Sequence, residues 1–254
     1  MIRPAVVGRS LRLAIGTLTA IPVPAVLRVT PGVATGALLL APLAVLPLAA
    51  VVGAIVWAGG ETTVPPLAVA VVALAALALG SRALHLDGLS DVADGLTASY
   101  DRERSLSVMK GGTAGPAGVA AVVLVLGAQA AALATFVGDV RSAVIAGAAV
   151  CASRAALWIT CASPVPPARP DGLGSTFTRR VPGWWTLLGW AGLACAATLV
   201  HPWRGPLAVG LAALVVLLLV MRAVRRFGGV TGDVFGAAIE LALATLLLAL
   251  PPGG

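Results

Sequence analysis

Asp87, Asp91 and Asp94 stand at i, i+4 and i+7 in the stretch ALHLDGLSDVADGL, a spacing that lines three carboxylates along one stripe of a helix. Like charges so placed repel by roughly a few tenths of a kcal/mol per pair, so the arrangement makes sense with a cation among them. Hard oxygen donors, with no cysteine nearby and one histidine, point to Mg²⁺ or Mn²⁺. Mg²⁺ is the expected cofactor, with all three aspartates as ligands and Asp91 best placed to share an ion with either neighbour. The competing reading is a solvated loop whose aspartates cap short helices broken at Gly88 and Gly95. A divalent ion held by a few carboxylates completes its shell with water and substrate phosphates. The metal reading therefore predicts phosphoryl transfer, with the ion neutralising non-bridging oxygens and cationic side chains around the leaving group.

Arg82, Lys110, Arg169, Arg179 and Arg180 are the candidate cations, although each also serves as a topology signal. His85, two residues from Asp87, points off the stripe and is a general base, a phosphate contact or a structural hydrogen bonder. In GGVTGDVFGA, residues 228–237, Thr231 and Asp233 lie among small residues where backbone can approach a ligand; capping the following helix is the alternative. VMKGGTAGPAG places Gly111, Gly112 and Gly115 ahead of a helix without matching a P-loop. Arg154 and Glu240 interrupt apolar runs and must face the protein interior or a wet cavity. Substrate binding and structural pairing are equally open for Arg154, and Glu240 reads as structural. The general base stays open among Asp87, Asp94, Asp233 and His85.

These residues must be positioned by membrane helices. Apolar residues make up 59% of the chain and charged ones 11%, and runs long enough for about 30 Å of hydrocarbon occur at 33–58, 64–82, 113–137, 142–161, 184–200, 205–221 and 234–251. The expected fold is an all-α polytopic bundle of about seven transmembrane helices in one domain, residues 1–254, with a re-entrant or interfacial helix near 11–27. A cleaved secretory signal fits that first segment less well, because Pro22 and Pro24 stop a helix early. The net charge of +7 sits in short gaps between apolar runs, which argues for topology rather than nucleic acid. With Arg3, Arg9 and Arg12 cytoplasmic, the loops 82–112, 162–183 and 222–230 are basic, whereas the opposite loops hold only Arg141 and Arg204. This alternation places the candidate site on the cytoplasmic face of the cell membrane. Cys151, Cys161 and Cys195 have neither metal nor pairing spacing and read as small core residues.

The chain resembles the cobalamin synthases, the adenosylcobinamide-GDP ribazoletransferases, along nearly its whole length. The matches fall in order at GTLTAIPVP, LHLDGLSDVADGL, VMKGGTAGPAG, ARPDGLG and GGVTGDVFGA. The resemblance implies a multi-pass inner-membrane enzyme that joins adenosylcobinamide-GDP to α-ribazole or its 5′-phosphate and releases GMP. Its acidic motif falls on Asp87, Asp91 and Asp94, and its later motif on Thr231 and Asp233. The chain departs from the family at Gly111 and Gly112, where many members carry an acidic and a basic residue. Read together, these lines make Asp91, Asp94, His85 and Asp233 the catalytic candidates. Arg82, Lys110, Arg154, Arg169 and Thr231 are the substrate-binding candidates. Two rivals compete. A CDP-alcohol phosphotransferase wants AR after the DG and a longer gap to its last aspartates, both missing here. A transporter wants its aspartates at mid-depth and a repeat between halves, neither of which the sequence displays.

Overall fold

The computed structural model describes residues 4–252, which contain fourteen helices and no strand beyond two isolated bridges. The chain is an all-helical, polytopic membrane protein. Four helices are long and apolar enough to cross a bilayer: α8 (Pro116–Ala134), α9 (Val140–Ser153) continued through α10 (Ala156–Thr160), α13 (Arg204–Phe227) and α14 (Gly232–Ala249). α5 (Pro66–Gly80) and α6 (Leu84–Ala98) pass the same test only as a pair bent by 91°.

All seven expected runs are helical, but three are not single full-length helices. The run 33–58 is divided into α2 (Pro31–Leu39), α3 (Ala41–Ala44) and α4 (Leu46–Gly60). Pro42 and Pro47 cannot donate the backbone bonds that would carry a helix through Leu40 and Val45. The run 64–82 yields 15 residues, about 22 Å at 1.5 Å per residue. It ends where Arg82 and Ala83 take left-handed φ of 57° and 53°. Two consecutive non-glycine residues in that region store strain, and this turn swings α6 away from α5. The run 184–200 becomes α12 (Gly183–Ala197), also 15 residues. At the N-terminus α1 (Pro4–Leu18) gives way to a non-helical segment before α2.

α14 is the central helix, packed by α6, α8, α9, α10 and α13. Small residues let its neighbours come close. A Cβ on Gly88 would lie 2.6 Å from the carbonyl oxygen of Asp233, and one on Gly236 would lie 2.9 Å from Cα of His85. The chemistry-bearing segments gather at one end: Arg102 in α7 (Arg102–Val108) donates to the Ala168 carbonyl at 2.8 Å, and Tyr100 carries Arg226 over its ring. Gly60 abuts the Gly138 backbone, and Arg141 donates to the Val200 carbonyl, tying together loops that belong to the opposite end. Asp139 caps α9 there, and its bonds from Ser142, side chain then backbone, hold its carboxyl below the ordinary aspartate value.

Candidate active site

The three aspartates of α6 lie on one helix, as their spacing predicts, but do different things. Asp87 is exposed, Asp91 is half-buried and Asp94 is buried. Asp94 turns to α8, where its two oxygens accept the amide hydrogens of Gly115 at 2.6 Å and Gly118 at 2.8 Å. It thus satisfies donors that the start of α8 leaves unpaired. A Cβ at Gly118 would collide with Ser90 Oγ at 2.2 Å and with Asp94 itself at 2.4 Å, so glycine there admits the carboxylate. Asp91 caps nothing: the cap positions of α6 are Ala83 and Ser99. Among the described residues no three Asp, Glu, His or Cys side chains form a ready cage for an ion. The expected three-aspartate set is not preassembled, because Asp94 is spent on α8. Asp94→Asn removes one of the two anionic acceptors from a buried site, where an unpaired amide costs about 1–3 kcal/mol. Its melting temperature should fall below that of Asp91→Asn in the same detergent, and equal melting temperatures would deny Asp94 this role.

The second wall of the site is built by the turn between α13 and α14. Gly228 closes α13 in the left-handed region at φ 75°. The chain then pairs with the segment 166–168 through Val230 N–H to the Pro166 carbonyl at 3.0 Å and Ala168 N–H to the Val230 carbonyl at 2.9 Å. This pairing carries Arg169 to the start of α14, where it shares a polar groove with Thr231, Gly232 and Asp233. Thr231 occupies the N-cap position, yet its hydroxyl donates to Asp233 Oδ2 at 3.0 Å rather than capping. Asp233 is thereby fixed one residue inside the helix, and Gly88 brings α6 against its backbone. Asp91 lies within electrostatic reach of Asp233, Asp87 and Asp94, opposed by Arg169, and Asp233 in turn feels Arg169 and Asp87. The α6 carboxylates thus lie within electrostatic reach of a groove that holds Asp233 and Arg169, the opposing cation, beside a helix start that favours anions.

Other expected residues lie elsewhere. Arg82 is directed to the end of α1, donating to the Gly16 carbonyl at 2.8 Å. Lys110 makes an exposed pair with Asp171 at 3.9 Å, of a kind that contributes little. Arg179 adopts a left-handed backbone (φ 61°), and Arg180 donates to the Thr176 carbonyl. Arg154 is wholly buried, donating to the Val150 carbonyl at 2.9 Å and Ser153 Oγ at 2.8 Å, within reach of Glu240. His85 is also buried, with Nδ1 3.7 Å from Glu240 Oε1, and Glu240 Oε2 accepts from Gln129 at 2.8 Å. These four form a polar cluster inside the bundle, separate from the groove. Sequence reasoning missed Gln129, although the only glutamine in the chain, set in an apolar run, is a signal that could have found it. It also missed Arg102, which straps the 166–169 segment from α7 while Arg169 returns a bond to the Leu106 carbonyl.

Residues 10–251 match the family model described as cobalamin-5-phosphate synthase. A Nocardioides protein named adenosylcobinamide-GDP ribazoletransferase is 55% identical over 238 residues, covering 94% of this chain and 96% of its own. Proteins of the same name from Frankia casuarinae and Pseudomonas aeruginosa are each 36% identical, covering 84% and 95% of this chain and 84% and 97% of their own. No solved structure matches. The chain belongs to the cobalamin-5-phosphate synthase family.

Proposed function

We propose that this chain is an adenosylcobinamide-GDP ribazoletransferase, joining adenosylcobinamide-GDP to α-ribazole or α-ribazole 5′-phosphate with release of GMP. The observation that carries the reading is the meeting of α6 with the start of α14: Gly88 packs on the Asp233 backbone, Asp91 lies within electrostatic reach of Asp233, Asp87 and Arg169, and Arg169 and Asp233 line one groove. Carboxylates alone would repel a pyrophosphate, and a helix start with an arginine would attract one. The two belong together when a divalent ion mediates. Asp87 and Asp91 fit Mg²⁺, which binds through one or two carboxylates and completes its shell with phosphate oxygens and water. When bound, the ion supplies neutralisation of the non-bridging oxygens.

The residues of the chain account for the remainder. A hydroxyl of the ribazole attacks the phosphorus that bears the cobinamide. A new phosphorus–oxygen bond forms, the anhydride bond to GMP breaks, and the hydroxyl proton leaves to a base. Because the 5′ position of the acceptor can itself carry a phosphate, the attacking oxygen belongs to the ribose ring. Asp233, oriented by Thr231, is the base at the start of α14, and Arg169 offsets the charge of the departing GMP. Asp94 positions the turn into α8.

The groove opens to the cytoplasmic side of the cell membrane, a reading supported by the basic loops that meet at that end. In a cysteine-free background, cysteines placed at the exposed Glu61, next to Gly60, and at His201 should label from outside intact cells with an impermeant reagent, and those at Asp91, Arg179 and Arg225 should not. External labelling at Asp91 would invert the topology. To test the activity, purified protein is given Mg²⁺, adenosylcobinamide-GDP and α-ribazole singly and together. GMP should appear only when both organic substrates are present. Binding of either without GMP release would favour a carrier.

A further inference from the structure

Beside the groove, a largely apolar cleft enters the bundle between α1, α2, α6, α10, α14 and α11 (Gly172–Phe177). Leu38, Leu157, Phe177, Phe235 and Ile239 are among its walls, and Gly232 and Asp233 belong to both the cleft and the groove. Its cavity volume is about 90 Å³, small beside whole-ligand sites of about 300–1,000 Å³, so it suits a single planar ring system and not a macrocycle. We propose that this cleft seats the flat heteroaromatic base of the acceptor nucleoside, so that the sugar lies at Asp233 with a ring hydroxyl presented to the carboxylates.

The proposal rests on the ribazoletransferase reading and divides the two substrates by their chemistry. The donor carries a pyrophosphate and a large macrocycle, which suit a polar groove open to water and not an apolar recess. The acceptor is a benzimidazole riboside, apolar and planar at one end and hydroxylated at the other. The cleft has the same polarity, with aliphatic and aromatic walls inside and a carboxylate at the entrance. His85 is the deeper polar group. Its ring is buried at 3% exposure, Nδ1 is turned to Glu240 at 3.7 Å, and neither ring nitrogen has a hydrogen-bond partner. It packs against Gly236, one turn along α14 from Asp233, where Nε2 is left to bond the sugar or the base. A lipid chain would match the walls but would leave His85 Nε2 and the Asp233 carboxylate unused.

The direct test is photolabelling of the full-length protein in detergent with a benzimidazole riboside carrying an azide on its carbocyclic ring. Label should map to Leu157, Phe177 or Phe235, and excess α-ribazole should suppress it. Label elsewhere, or label in the cleft displaced by phospholipid but not by α-ribazole, would overturn the proposal. Ala37, at 4% exposure in α2, also lines the cleft. Ala37→Leu should raise the KM for α-ribazole about tenfold or more, leave the KM for adenosylcobinamide-GDP unchanged, and be partly relieved by the smaller unsubstituted benzimidazole riboside. Unchanged KM for both substrates in a folded variant would overturn the assignment while leaving the ribazoletransferase reading intact. Failure of the wild-type protein to release GMP would remove that reading and this proposal together.

Discussion

Asp91→Asn should lower GMP release by about a hundredfold or more, the scale of losing one strong electrostatic contact to a transition state, with yield unchanged and a metal-free melting temperature equal to or above that of the wild type. Asparagine preserves the shape of the side chain and caps helices as well as aspartate does. Asp91 holds no cap position, so its charge is what the substitution removes. That charge sits among Asp87, Asp94 and Asp233, a crowding that costs stability in the empty protein and is relieved by a divalent ion. Quantifying GMP by chromatography at saturating substrate checks the effect. Near-normal turnover at ordinary Mg²⁺ would remove Asp91 from the site.

Arg154→Leu should abolish most of the folded protein, for a reason unrelated to the groove. The guanidinium is fully buried within the α9–α10 span, and Glu240 on α14 is the acid within its electrostatic reach. Removing one of two opposite buried charges costs up to about 3–5 kcal/mol, because the other loses its compensation. The double variant Arg154→Leu, Glu240→Gln should recover much of the yield, since Gln removes the stranded charge and can still meet Gln129. Size-exclusion profiles in detergent measure both effects. A monodisperse, fully active single variant would make Arg154 dispensable, and failure of the double variant to recover would show that the pair does more than balance charge.

How much of this was legible in the sequence differs from residue to residue. The α6 stripe could be read because i, i+4, i+7 is a local rule, and the site end of the bundle because basic loops alternate. Membership of Thr231 and Asp233 followed from small residues at a helix start. The diversion of Asp94 was hidden, since it depends on how α8 docks against α6 through Gly115 and Gly118. The bend between α5 and α6 falls on Arg82 and Ala83, neither of which announces a left-handed turn as glycine would. The apolar run 33–58 looked continuous because hydropathy outweighed Pro42 and Pro47, although proline chemistry, correctly weighted, predicts the breaks. Arg82 and Lys110 join the aspartates by sign of charge and a shared cytoplasmic side, and Arg154 by being a charge inside a span. Sign does not say which carbonyl or carboxylate the folded chain brings within reach.

Metal-assisted phosphoryl transfer where the α6 carboxylates meet the start of α14 is tested most directly by the metal dependence of product formation. Purified protein stripped with EDTA is supplied with both substrates, and GMP and the joined corrinoid are quantified as Mg²⁺ is restored. The account predicts no turnover without the ion, and recovery with one GMP formed for each corrinoid joined. Equal rates with and without Mg²⁺ or Mn²⁺, or GMP appearing without the joined product, would contradict it.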